Sequence, residues 1–257
     1  MDDSQIDYLL NHLGDSDASI RDGLVYSTLA QGFEESIFSE AQMRKIIAFV
    51  TDGECLYYKI GSQADDSVFL RSFSALMGAI FLDCDRRTPL LSPEQRKQWF
   101  SWAEHYLFDE QDHRGWVSPS QGWAHALAHG SDLLDAALQH PLFTPSTSFF
   151  DLISSWMGSL DYPFHDSEAS RLSSAITAGL ENKKFKQTDF ERFLSHTDTV
   201  CWEKEEASES APCYCLTFWI NFLQSLYFLS NSEEVRSSCS RYCRGYYLRM
   251  GYLPNDR

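Results

Sequence analysis

The sequence predicts an all-α protein, a HEAT-like α-solenoid or helical array of antiparallel helix pairs, with a globular helical bundle as the alternative. Two observations carry this. Apolar residues recur at helical spacing along nearly the whole chain, and alternating β-branched runs are almost absent.

Over 19–31, Ile20, Leu24, Tyr26, Leu29 and Ala30 follow the helical spacing, with Ser19 as the expected N-cap and Asp22 as its capping-box acid. A second helix is predicted over 39–51 through Met43, Ile46, Ile47 and Val50. A third starts near Asp66 and carries Phe69, Phe73, Leu76, Met77 and Ile80. Ser92-Pro93-Glu94 opens a fourth, because proline is tolerated in a first helical turn. Further helices are predicted near 121–139, 146–159, 166–180, 188–195, 213–230 and 232–250. Starts near residues 19, 66, 121, 166 and 213 pair the helices at intervals of roughly 45 to 55 residues, the rhythm of a two-helix repeat. The acidic stretch 203–209 reads as solvated loop. The chain then divides into a helical repeat domain at 1–202, an acidic loop at 203–212 and a C-terminal helical hairpin at 213–257 packing on the same domain.

The 257 residues are 43% hydrophobic and 23% charged, ample for a buried core. Lys and Arg number 21 against 37 Asp and Glu, a formal net charge of -16. Such acidity repels phosphate backbones and anionic headgroups, so no nucleic-acid or membrane partner is expected. The longest basic run is Lys183-Lys184-Phe185-Lys186. The sequence has no Gly-rich phosphate loop, G-x-S-x-G elbow or nucleotide fingerprint. Met1-Asp2-Asp3-Ser4 carries acid where a signal peptide carries base, so the cytoplasm is the expected compartment and the seven cysteines are expected to be reduced. A zinc site from Cys213, Cys215, Cys239 and Cys243 would use C-x-C and C-x3-C spacing where C-x2-C is usual, so buried thiols are favoured. Tyr214–Leu229 is apolar, but it is shorter than the ~20 residues of a membrane span and contains Asn221 and Gln224. It reads as a core helix.

The segment QGWAHALAHGSDLLDAAL over 121–138 is the most informative. At ~100° per residue, Trp123, Leu127, Leu134 and Leu138 share one helical face. His125, His129 and Asp132 share the other, beside the small residues Ala128 and Ala136. His125 and His129 lie one turn apart, the spacing by which two imidazoles can share a divalent metal. Asp132 lies ~10 Å along the axis from His125 and suits a hydrogen bond to His129 better than a place on the ion. A third ligand would come from Asp66, Asp112, His113, His165 or Glu168. Ala126 stands where H-E-x-x-H needs glutamate, which excludes a zincin. Solvent-facing or packed polar residues are the plain alternative.

Ser67, Arg71, Ser74 and Gly78 form a small polar stripe on the third helix, which an N-cap and a snorkelling arginine would also explain. Arg21 and Asp22 occupy the matching start of the first helix pair, and the charged loop 109–116 brings Arg114 toward the His segment. If the pairs stack, Arg21, Asp22, Asp66, Arg71, Arg114 and Trp123 meet His125, His129 and Asp132 in one groove. Its arginines would suit a small anionic ligand.

These segments carry a resemblance. The matching stretches are Ile20-Arg21-Asp22 through Tyr26, Asp66-Ser67-Val68-Phe69, Arg71-Ser72-Phe73-Ser74 and Asp112 with Arg114-Gly115, followed by Gly122-Trp123-Ala124-His125-Ala126 and Ala128-His129-Gly130 with Asp132-Leu133-Leu134, which form a GWAHxxAHGxDLL-type motif. The chain resembles a bacterial family of uncharacterised proteins, a domain-of-unknown-function family, some of whose members are labelled "membrane-spanning". The likeness covers roughly 13–140, with a weaker echo at 168–172, and Ser131 stands where alanine is expected. It implies an all-helical cytosolic protein with the polar stripe as its working surface, and it brings no established activity.

Two functions are expected on these grounds. The first is a non-catalytic helical repeat protein whose groove binds a small anionic ligand or a protein segment. The second is a hydrolase in which His125 and His129 hold a metal, or one of them acts as a base oriented by Asp132, while Arg71 holds an anionic group. Whether the catalytic candidates His125, His129 and Asp132 do chemistry is left open. Both expectations need Arg71, His125 and His129 in one pocket.

Overall fold

The computed structural model describes residues 1–208 and 212–254. Part of the expected acidic loop, 209–211, and the last three residues lie outside the described residues. The chain forms two compact units, Met1–Phe143 and Thr144–Arg257. The units do not divide at residue 202, and residues 203–207 continue a helix where loop was expected.

Unit 1 begins with α1 (Asp3–Asn11), then a continuous winding of α2 (Ala18–Ile20), a π-helical segment (Arg21–Tyr26) and α3 (Ser27–Glu34). After α4 (Glu40–Asp52) and a 3-10 turn (Cys55–Tyr57) come α5 (Ser67–Arg87) and α6 (Pro93–Asp109). A short antiparallel hairpin, β1 (Trp116–Ser118) and β2 (Gly122–Trp123), precedes α7 (Ala126–Gln139). Unit 2 holds α8 (Phe149–Gly158), α9 (Glu168–Glu181), α10 (Gln187–Ala207), α11 (Tyr214–Leu229) and α12 (Glu233–Arg249).

Local chemistry accounts for the starts. Ser39 and Ser92 each accept from the third helical N–H, while Gln42 and Gln95 reach back to the cap N–H; Pro93 needs no donor at its position. The first helix pair starts differently. Asp17, not Ser19, is the cap, accepting from the Ser19 N–H at 2.8 Å, and Asp22 pairs with Arg21 in place of completing a capping box.

The predicted helix at 121–139 starts only at Ala126. Gly122 and His125 take positive φ, 65° and 53°, which ends helical winding and makes room for the hairpin. Trp123 therefore sits on a strand, outside the helical face assigned to it.

Within unit 1, α7 packs on both α5 and α6; within unit 2, α8 packs on α10, α9 on α11, and α11 on α12. This is a helical array. Close approach to α5 needs Gly78, where a Cβ would lie 2.2 Å from the Trp99 ring. That space, expected to be an open polar stripe, is filled by Trp99 and Leu133. Helix α5 is long and apolar enough to cross a membrane, yet 67% of its most apolar stretch is buried in the protein.

Candidate functional site

The site in unit 1 is built on Arg21. The Ser27 N–H donates to the Asp22 carbonyl five residues back, which widens the winding by one residue and marks the π segment. Arg21 is fully buried, with its guanidinium carbon 4.2 Å from the Phe69 ring centroid and 4.8 Å from that of Phe73. Its Nη1 donates to the Asp15 carbonyl at 2.8 Å, and its Nη2 to the carbonyls of Gln121 at 2.6 Å and Trp123 at 3.3 Å. Its Nε lies 2.8 Å from Asp22 Oδ1 without hydrogen-bond geometry. Burial pulls the Arg21 pKa below the ordinary arginine value despite Asp22, and burial raises that of Asp22.

The pinned hairpin places the imidazoles. Trp123 stacks on His125 with centroids 4.3 Å apart and packs edge-on against Trp116 at 5.2 Å. His125 is the N-cap of α7, and its carbonyl accepts from the His129 N–H at 2.9 Å. The rings of His125 and His129 meet at 5.8 Å, nearly perpendicular, so the pairing expected from the sequence is present. Both residues are half-buried.

Ser72 fixes the state of His129. Its hydroxyl donates to the Ala124 carbonyl, so the same oxygen accepts from His129 Nδ1–H at 2.7 Å. In the neutral ring the lone pair then belongs to Nε2. Phe73 packs edge-on against the same ring at 5.3 Å. Ser72 is fully buried, so it positions the imidazole and is not exposed as a nucleophile.

Arg71 does not join this face. It is fully buried and forms a two-pronged pair with Glu110, Nε–Oε2 2.6 Å and Nη2–Oε1 2.9 Å. Its remaining N–H groups go to the carbonyls of Tyr58, Lys59 and Ser62 and to Ser67 Oγ. Burial disfavours the charge, and Glu110 more than offsets it, so the Arg71 pKa stands above the ordinary value. Every donor is consumed inside the protein. The expected pocket shared by Arg71, His125 and His129 is not formed.

Arg114 is taken up by Asp112, at 2.7 Å, and by the Asp65 carbonyl at 2.6 Å. Asp112 also accepts from the Ala64 N–H. Asp66 is exposed and accepts from the Gln121 side chain at 3.1 Å. Asp132 lines a separate cleft of about 330 Å³ with Tyr26, Leu76 and Asp135. Ala128 and Ala136, expected to leave room beside the imidazoles, are buried in packing. His165 and Glu168 belong to unit 2, where Glu168 accepts from the Asp166 N–H at 2.8 Å.

The cysteines behave as packed thiols. Cys201, Cys215 and Cys239 are buried, Cys213 and Cys215 approach at 3.8 Å, and burial raises Cys239 to about 12 and Cys243 to about 11. Sequence reasoning missed three parts of the site: the bond from His129 to Ser72, the Phe69/Phe73 cradle of Arg21 and the strand that carries Trp123. Each was visible only as a residue in a motif, since its partner lies far along the chain.

A family model described as "Protein of unknown function (DUF2785)" matches residues 56–228. The match begins after α4 and runs into α11, so it reaches well beyond the region that carried the motif likeness. No curated protein and no solved structure matches the chain.

Proposed function

The chain belongs to the DUF2785 family, and we propose that the face of unit 1 bearing Trp123, His125 and His129 binds a small anionic ligand, its imidazoles supplying the charge. One observation carries this reading. His125 is a non-glycine residue at φ 53°, held there with its ring on Trp123 and turned toward His129. An L-residue in that region costs about 1 kcal/mol or more and persists where its surroundings over-determine it, most often at sites of function. The adjoining π segment is a second irregularity of the kind that accompanies such sites. With Arg71 sealed, protonation of His125 or His129 would add positive charge to this face, above the buried charge of Arg21. A protein segment ending in a carboxylate would meet the same groups. On the strength of its acidity, the protein is further read as without nucleic-acid or membrane partners.

Side-chain histidine NMR during titration with inorganic phosphate and with succinate tests the proposal. The resonances of His125 and His129 move and saturate, at lower concentration at pH 6 than at pH 8. Absence of saturable shifts at both pH values overturns it.

The second reading, a metal-assisted or histidine-based hydrolase, draws on the tautomer of His129. A neutral ring that donates through Nδ1 presents the Nε2 lone pair to a divalent metal or to a proton. Stoichiometric zinc retained by purified protein, and lost in the His125→Ala/His129→Ala variant, would favour it over anion binding.

A further inference from the structure

We propose that unit 2 carries a separate binding site, a cleft of about 460 Å³ between α8 and α10, that takes a small planar aromatic anion. The Lys183-Lys184-Phe185-Lys186 run, the chain's main basic stretch, opens onto it.

The wall is aromatic. The Phe150 ring lies 4.6 Å from Phe185, tilted against it by 44°, and stacks on Phe193 at 4.7 Å, which gives an apolar aromatic wall between the two helices. The rim is basic, with Lys184, Lys186 and Arg192 around the cleft. Two acids also line it. Asp189 is neutralised by Arg192 at 2.6 Å, and Asp151 sits in the first turn of α8, where the helix dipole offsets its charge. The lysines set the sign of the rim, the reverse of a chain with 37 acids and 21 bases.

The backbone is bent to make this arrangement. Lys183 takes φ 55°, where glycine is usual after a helix, and the Lys184 N–H donates back to the Gly179 carbonyl at 2.9 Å. That turn ends α9 and brings Phe185 against Phe149 and Phe150 of α8. Burial holds the Lys184 ammonium below the ordinary lysine range. A flat ring against the phenylalanines with a carboxylate at the rim uses both surfaces at once. Neither a bare anion nor a neutral ring does.

Calorimetric titration of the full chain with 2-naphthoate, 2-naphthalenemethanol and inorganic phosphate tests this. In the full chain carrying His125→Ala and His129→Ala, so that the imidazole face contributes no anion binding, naphthoate binds saturably at one site, and the other two bind at least about tenfold more weakly, a difference of about 1.4 kcal/mol. Lys186→Met, on an exposed residue, and Lys184→Met each weaken naphthoate several-fold, while Lys97→Met on unit 1 has no effect. Equal binding of the alcohol, unchanged affinity in both lysine variants, or no saturable naphthoate binding overturns the proposal.

Discussion

The guanidinium of Arg21 donates to the Gln121 carbonyl at 2.6 Å, joining the π-helical segment to the hairpin one hundred residues later. The same Nη2 reaches the Trp123 carbonyl, so the strand under the His125 ring is held from below. Arg21→Met is expected to cost about 3–5 kcal/mol, because it strips a buried charge from its acceptors. Arg21→Lys does not restore it, since an ammonium cannot span the carbonyls and lie between two rings. Urea unfolding measures both. Histidine NMR of the folded fraction should report a displaced His125.

Arg71 makes the contrasting case. Arg71→Met leaves Glu110 buried beside the Tyr106 hydroxyl and two backbone N–H groups without its counter-charge, at about 3–5 kcal/mol. Adding Glu110→Gln recovers part of that loss, and a double-mutant cycle by urea unfolding reads the coupling. A loss of anion affinity with unchanged stability would instead return Arg71 to the binding face.

At His125 the backbone and the ring can be separated. Glycine accepts positive φ freely but removes the stack on Trp123, whereas alanine loses the stack and keeps the strain. His125→Gly should therefore be more stable than His125→Ala by about 0.5–1 kcal/mol, measured by thermal unfolding. Equal melting temperatures would mean the left-handed geometry costs nothing.

Asp85 gives a pH dependence. Burial alone would raise its pKa, but hydrogen bonds from Arg96 and from the Leu90 and Leu91 N–H groups outweigh that and hold it at about 2, against an ordinary 3.8. A carboxylate depressed on folding stabilises the native state above its unfolded value and loses that contribution as pH falls through the folded one. About 2 kcal/mol should thus disappear between roughly pH 4 and pH 2. Urea midpoints across that range, flatter for Asp85→Asn than for the wild type, check it. Parallel losses in both proteins would refute the assignment.

What the sequence disclosed was the chemistry that closes within a few residues. The helix starts at Ser39 and Ser92 and the apolar periodicity of α5 need only near neighbours, and they appear where the spacing put them. Asp22 and Ser19 obeyed the same local rules and lost, because Asp17 was a better acceptor and Arg21 a nearer charge. The hairpin turns on two positive φ angles that no periodicity records. Arg71 looked like a hand held out to a ligand because Glu110, its partner, is 39 residues away. The meeting of His125 and His129 was legible from their spacing, but the stacking and tautomer that give it chemical character came from Trp123 and Ser72.

The widened winding at Arg21–Tyr26 makes length, beyond identity, the sensitive quantity in this stretch. Deleting one residue there would let the winding close at ordinary pitch with α2 and α3 near their present directions, while the side chains within the segment change face and the guanidinium leaves its place between the two phenylalanine rings. Single-residue indels at this point should be far more damaging than the surface position of Leu24 would suggest.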